Sequence, residues 1–176
     1  MLWFSDLRGS TKLSDRLGAD DYLALINRYF ECTAATVVAH GGEVLNFIGD
    51  GVFAIFPVDG APEEAAARAE AAVAAAMDRH AQVIAEGVPG DPAFSFGIGL
   101  SVGDVMFGNI GVPDRLAFSA IGRSVNALHR IETATKALGY PVLADRAFTD
   151  LAASATEPSR QTILPDRLSK ANAAPR

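Results

Sequence analysis

The chain has 176 residues, with 21 acidic against 15 basic side chains and a formal net charge of −6. That length suits one domain, and 49% hydrophobic with 20% charged residues supplies a sizeable core and excludes a disordered chain. The acidic balance also excludes a protein whose main task is to coat a nucleic-acid polymer or an anionic membrane, because both demand a basic face; local cations can still bind a single phosphate group.

Cys32 is the sole cysteine, so neither an intrachain disulfide nor a cysteine-based zinc site can form, which fits a reducing compartment. Met1 leads within five residues into Asp6-Leu7-Arg8, unlike a signal peptide, and no apolar run approaches the roughly 20 residues that span a bilayer. The expectation is a cytoplasmic protein.

Residues 1–7, MLWFSDL, read as a short buried strand ending in a charged turn. Residues 20–39 place Leu23, Ile26, Phe30, Ala34 and Val37 at helical spacing, with Asp20 and Asp21 at the favourable N-terminal end and Gly41-Gly42 as the stop. EVLNFI (43–48) and VFAIFP (52–57) flank Gly49-Asp50-Gly51, a tight-hairpin signal that puts Asp50 at the tip. The alanine-rich stretch 61–86 predicts a long helix. Residues 94–103, 104–111 and 116–121 read as strands. Residues 122–138 turn helical, with Val125, Leu128, Ile131 and Leu138 facing a core and Gly139 ending the run. A short strand at 141–145 and a last helix precede a proline-containing loose tail, so the domain is assigned to 1–152 and the tail to 153–176. The order predicts an α+β domain, a mixed α/β sandwich with one main sheet and packed helices.

Two acids stand out by position. If the first strand lies beside the hairpin, Asp6 and Asp50 project from the same sheet edge, the arrangement that a hard Mg²⁺ or Mn²⁺ requires when substrate phosphates supply its other ligands. Singly, each is ordinary turn or cap chemistry. Arg8-Gly9-Ser10-Thr11 opens a segment whose free amides suit a phosphate. Asn126 and Arg130, four apart on one helix face with Thr133 beside them, suit a phosphoryl centre, although a solvated face has the same pattern. Gly97, Gly99 and Gly103 lack dinucleotide-motif spacing and read as strand glycines used for close packing. His40, His80 and His129 lack metal-ligand spacing and read as surface or helix-end residues, and Cys32 as a small buried one.

Together, WFSDLRGST (3–11), GGEVLNFIGDGVFAIFP (41–57), GIGLSVGDVMFGNIG (97–111) and FSAIGRSVNALHRIE (118–132) resemble, in order, the motifs of class III adenylate and guanylate cyclase catalytic domains. The resemblance implies a central, mostly antiparallel sheet with a ferredoxin-like or palm-like core, and a head-to-tail homodimer with active sites at the subunit interface. Asp6 and Asp50, with Leu7 between them and the turn, match the positions holding two Mg²⁺ or Mn²⁺ ions per site. Asn126 and Arg130 match the pair supplied by the other subunit. Gly9, Ser10, Thr11, Asn46, Gly49 and Ser119 match substrate-binding positions, for ATP or GTP as substrate and a 3′,5′-cyclic nucleotide as product. The base-selecting positions Asn46 and Ser119 match neither the usual adenine pair (Lys with Asp or Thr) nor the usual guanine pair (Glu with Cys). For the family's closing basic residue, Lys170 or Arg167 in the tail is the candidate substitute. A second reading of the same residues is a cyclase-like domain that binds nucleotide and regulates with little turnover. A diguanylate cyclase is disfavoured because Ile48-Gly49-Asp50-Gly51-Val52 lacks the GG(D/E)EF pattern.

Overall fold

The first strand, β1 (Leu2–Leu7), alternates between two apolar layers: Trp3 and Leu7 enter a large core on one face, while Leu2 and Phe4 enter a smaller one on the other. The computed structural model describes residues 1–87, 93–112 and 115–155, with the side chains of 109–112 and 115–119 outside the description. After β1 come α1 (Ser10–Arg16), α2 (Ala19–Cys32), α3 (Ala34–Ala39), β2 (Glu43–Ile48), β3 (Gly51–Ile55), α4 (Pro62–Glu86), β4 (Phe96–Ser101), β5 (Met106–Val112), β6 (Arg115–Ile121), α5 (Arg123–Leu138), β7 (Val142–Ala144) and α6 (Arg146–Ala155).

Among the described residues, five strands form a sheet in the order β2-β3-β1-β4-β7, antiparallel except where β7 joins β4 in parallel. β5 and β6 form a separate two-stranded ribbon beside the one main sheet that the sequence predicts. Helices cover both faces of the main sheet, as the α+β expectation requires. The large core takes Leu25, Tyr29 and Cys32 from α2, alanines of α4 and Phe148 of α6; the smaller core is closed by Leu128 of α5.

The expected 20–39 helix is two helices, because Thr33 departs from helical geometry (φ −111°, ψ −72°) while its hydroxyl donates to the Tyr29 carbonyl at 2.8 Å. Within α2 the buried stripe is Leu25, Tyr29 and Cys32, and Leu23 is 61% exposed. Leu138 is likewise 49% exposed at the end of its helix, while Cys32 is buried as expected. The helix α1 is an addition to the elements that the sequence pattern predicts. His40 does sit at a helix end. His80 instead packs edge-on between Phe94 and Phe96, and His129 lies tilted against Phe4 at 4.0 Å between ring centroids.

The close-packing role expected of the strand glycines is observed. A Cβ on Gly99 would lie 2.8 Å from the Glu132 backbone nitrogen, and one on Gly97 would lie 2.6 Å from Glu132 Oε1 and strike Thr135 Oγ1. Hence α5 rests directly on the β4 backbone. Gly99→Ala should therefore cost about 1–3 kcal/mol in urea unfolding, since helix backbone cannot yield cheaply; unaltered stability would mean that α5 can lift without loss.

Candidate active site

Strand pairing brings the two carboxylates together. Ser5 pairs with Val52, which sets Asp6 level with the β2–β3 turn that carries Asp50. The turn is tight because Gly49 adopts φ 64°, and Gly51 has no side chain where the Phe4 ring lies, 2.7 Å from a Cβ placed there. On the reverse face of β1, Ser5 Oγ accepts hydrogen bonds from the Tyr29 hydroxyl at 3.0 Å and the Trp3 indole at 3.3 Å, which fix the strand behind Asp6.

Both aspartates are half-buried. Burial first, then the charge of Asp50 and a hydrogen bond shared with it, pushes the Asp6 carboxyl up to about 6, while the Leu7 amide, which donates to it, acts in the opposite sense. Asp50 Oδ2 is buried without a hydrogen-bond partner. Two converging oxygen donors, one of them orphaned, fit a hard divalent cation such as Mg²⁺ or Mn²⁺. No group of three or more His, Cys, Asp or Glu surrounds the position among the described residues, so such a cation would take its remaining ligands from backbone, water or substrate. The Leu7 side chain is in the core, which leaves only its backbone to face the site.

Gly9 takes φ 71° at the start of α1 and is exposed, as is Thr11; Ser10 is partly buried and hydrogen-bonds with Tyr22. Burial and then the charge of Asp50 raise the Tyr22 hydroxyl above its ordinary value. Asn46 pairs with Phe53, which in turn pairs with Phe4, so Asn46 stands exposed on the sheet face that carries Asp6. The Ser119 backbone pairs with Gly108 in the β5–β6 ribbon; its side chain lies outside those described, as do Arg167 and Lys170.

α5 turns Leu128, Glu132 and Thr135 inward, while Asn126, Arg130 and Thr133 are exposed on its opposite side. A single chain therefore does not bring Asn126 and Arg130 to its own Asp6 and Asp50.

One acid escapes the sequence pattern. Glu132 is buried, and its carboxyl is pushed up to about 7, by burial first and then by the charge of Asp6, against the pull of Arg8. Its one signal is an acid in phase with Leu128 and Thr135 on the inner helix face.

These elevated acids set a pH dependence. The folded values of about 6 for Asp6 and about 7 for Glu132 lie above their ordinary 3.8 and 4.5, so the folded protein holds more protons than the unfolded chain between them. Their contribution to stability is full below the ordinary values and is lost as the pH rises through 6 and 7. Melting in EDTA should give a lower Tm at about pH 7.5 than at about 5.5, with a smaller drop in Asp50→Asn, where Asp6 no longer faces a charge; equal drops in both proteins would refute the carboxylate pairing.

The family of adenylate and guanylate cyclase catalytic domains matches residues 1–142. Adenylate cyclase 1 of Rhizobium meliloti is 32% identical over 147 residues, covering 82% of this chain and 22% of that protein. Adenylate cyclase of Anabaena cylindrica is 31% identical over 142 residues, covering 80% of this chain and 28% of that one. Among solved structures, a bacterial light-regulated adenylyl cyclase superposes with a TM-score of 0.76 at 29% identity, covering 86% of this chain and 44% of that one. The guanylyl cyclase Cya2 superposes at 0.71 and 27% identity, covering 94% and 84%. The fold thus belongs to the nucleotide cyclase class, and the chain is a member of the adenylate and guanylate cyclase catalytic domain family. It spans only about a quarter of the length of these two curated relatives.

Proposed function

We propose that this chain is a nucleotide cyclase that converts ATP, or GTP, to a 3′,5′-cyclic nucleotide and pyrophosphate in a homodimer, for intracellular signalling in the cytoplasm. The observation that carries this reading is the convergence of Asp6 and Asp50 with an orphaned buried oxygen on Asp50. Asp6, Asp50 and the Leu7 backbone would hold two Mg²⁺ or Mn²⁺ ions. Bound there, the ions supply the positive charge that favours a 3′-alkoxide and neutralises the triphosphate.

The chain's own groups do the rest. The amides of Gly9, Ser10 and Thr11, close after Asp6 in the chain, receive phosphate oxygens, and the open backbone of Gly49 admits substrate beside Asp50. The partner copy's α5 brings its asparagine to the ribose and its arginine to the α-phosphate, where the bond to the 3′-oxygen forms as the bond to pyrophosphate breaks. The solvent-facing position of Asn126 and Arg130, away from the carboxylates of their own chain, supports this sharing. Residues 1–152 are the proposed catalytic domain and 153–176 its tail. No described helix is long and apolar enough to cross a membrane.

Asn46, on the face of Asp6, and Ser119 meet the base. An amide both donates and accepts, so it discriminates weakly between adenine and guanine. Asn46→Lys should raise ATP use relative to GTP by about tenfold, read as the ratio of kcat/KM values; an unchanged ratio would place Asn46 away from the base.

Mixing two inactive variants tests the proposal. Asp50→Ala and Arg130→Ala chains in equal amounts should form hybrids with one intact site, recovering up to about a quarter of wild-type cyclic nucleotide output. No recovery beside an active wild type would contradict the shared site. An inactive wild type that still binds nucleotide would favour the regulatory reading.

A further inference from the structure

We propose that Glu132 is a positioning residue of this cyclase site: its carboxyl, buried over Gly97, fixes the seat of α5 on the sheet and so aims Asn126 and Arg130 at the partner's carboxylates. The inference rests on the cyclase reading above.

Glu132 is 8% exposed and meets β4 twice, with its backbone nitrogen over Gly99 and its Oε1 over Gly97. At both places a strand side chain is missing where α5 comes down. Arg8 closes the arrangement from the next strand. Its amide donates to the Ser95 carbonyl at 2.8 Å and its Nη2 to the Tyr140 carbonyl at 2.8 Å, just past the end of α5, where the Tyr140 amide donates to the Thr135 carbonyl at 3.0 Å. Arg8 Nε is buried without a partner, as is Thr135 Oγ1. The guanidinium therefore holds the C-terminal end of α5 and counters the charge of Glu132.

A carboxylate is a costly way to fill such a space. An apolar side chain of similar volume packs there at no desolvation cost, so the charge makes sense where it fixes a geometry. Asn126 and Arg130 lie on the opposite side of the same helix, where a small rotation or lift is magnified at the guanidinium. A misplacement of about 1 Å costs on the order of 10²-fold in rate.

The hybrid of Asp50→Ala with Arg130→Ala isolates the effect, because its one intact site takes α5 from the Asp50→Ala chain and the carboxylates from the Arg130→Ala chain. Glu132→Gln placed on the Asp50→Ala chain should lower kcat by about 10- to 100-fold with KM for ATP within about threefold. The same change on the Arg130→Ala chain should leave at least about tenfold more activity than the first placement. Equal activity from the two placements, or the reverse order, overturns the proposal. Glu132→Asp, which keeps the charge but withdraws it by one methylene, should show the same asymmetry and decides between the outcomes if Glu132→Gln does not fold by its melting curve. An inactive parent hybrid counts against the shared cyclase site itself, whereas an active parent with no asymmetry counts against Glu132 alone.

Discussion

Asp50→Ala should lower kcat/KM for cyclic nucleotide formation by at least about 10³-fold, equivalent to roughly 4 kcal/mol of lost transition-state stabilisation. Asp50 contributes one of the two converging side-chain carboxylates, no third acid or metal-ligating side chain joining them among the described residues, and its buried Oδ2 has no hydrogen-bond partner. The same variant should be more stable than wild type in EDTA, because removing Asp50 takes away a neighbouring charge that raises the Asp6 carboxyl. Mn²⁺ should raise the Tm of wild type and leave that of Asp50→Ala nearly unmoved. Thermal melts with and without Mn²⁺, beside product assays, give both results. Activity near wild type, or an undiminished Mn²⁺ shift, would remove Asp50 from the metal site.

Arg130→Ala should produce a comparable loss by a different route. The side chain is exposed in a single chain, so truncation should change stability by less than about 0.5 kcal/mol. If the partner's α-phosphate is where this guanidinium acts, kcat should nevertheless fall by about 10²- to 10³-fold, the usual cost of removing a donor aimed at developing negative charge. If the carboxylates and their metal ions supply most of the grip on the triphosphate, nucleotide affinity should change only a few-fold. A large KM increase with kcat intact would make Arg130 a ground-state binding residue.

The residues behind these two predictions differ in how they can be recognised. Asp6 and Asp50 are legible because a strand end and a Gly-Asp-Gly turn each report local structure, and only the β1–β3 pairing is needed to join them. Asn126 and Arg130 are legible as a shared helix face, but helical spacing alone does not distinguish a solvated face from one that meets a second copy. The main strands follow from apolar runs and turn residues, and the role of Gly97 and Gly99 from their place within a strand.

What is not legible depends on long-range contacts. At the Thr33 break a hydroxyl bonds back to the Tyr29 carbonyl, and within α2 it is Leu25, not Leu23, that the packing of the helix against the core buries. The separate β5–β6 ribbon is a matter of partner choice, which the apolar pattern of its strands does not specify. Glu132 is hidden because an acid within a helical run ordinarily faces water. Its burial depends on two glycines more than thirty residues earlier and on Arg8 at the far end of β1.

The most direct measurement follows product from the unaltered protein. Purified chain is incubated with ATP or GTP and Mn²⁺ across a range of protein concentrations, and cyclic nucleotide and pyrophosphate are quantified. Two half-sites meeting across two copies predict equimolar 3′,5′-cyclic nucleotide and pyrophosphate, with a rate that rises more steeply than linearly until the dimer saturates. Absence of cyclic product at every concentration, with the protein folded and Mn²⁺ bound, would contradict the shared-site cyclase.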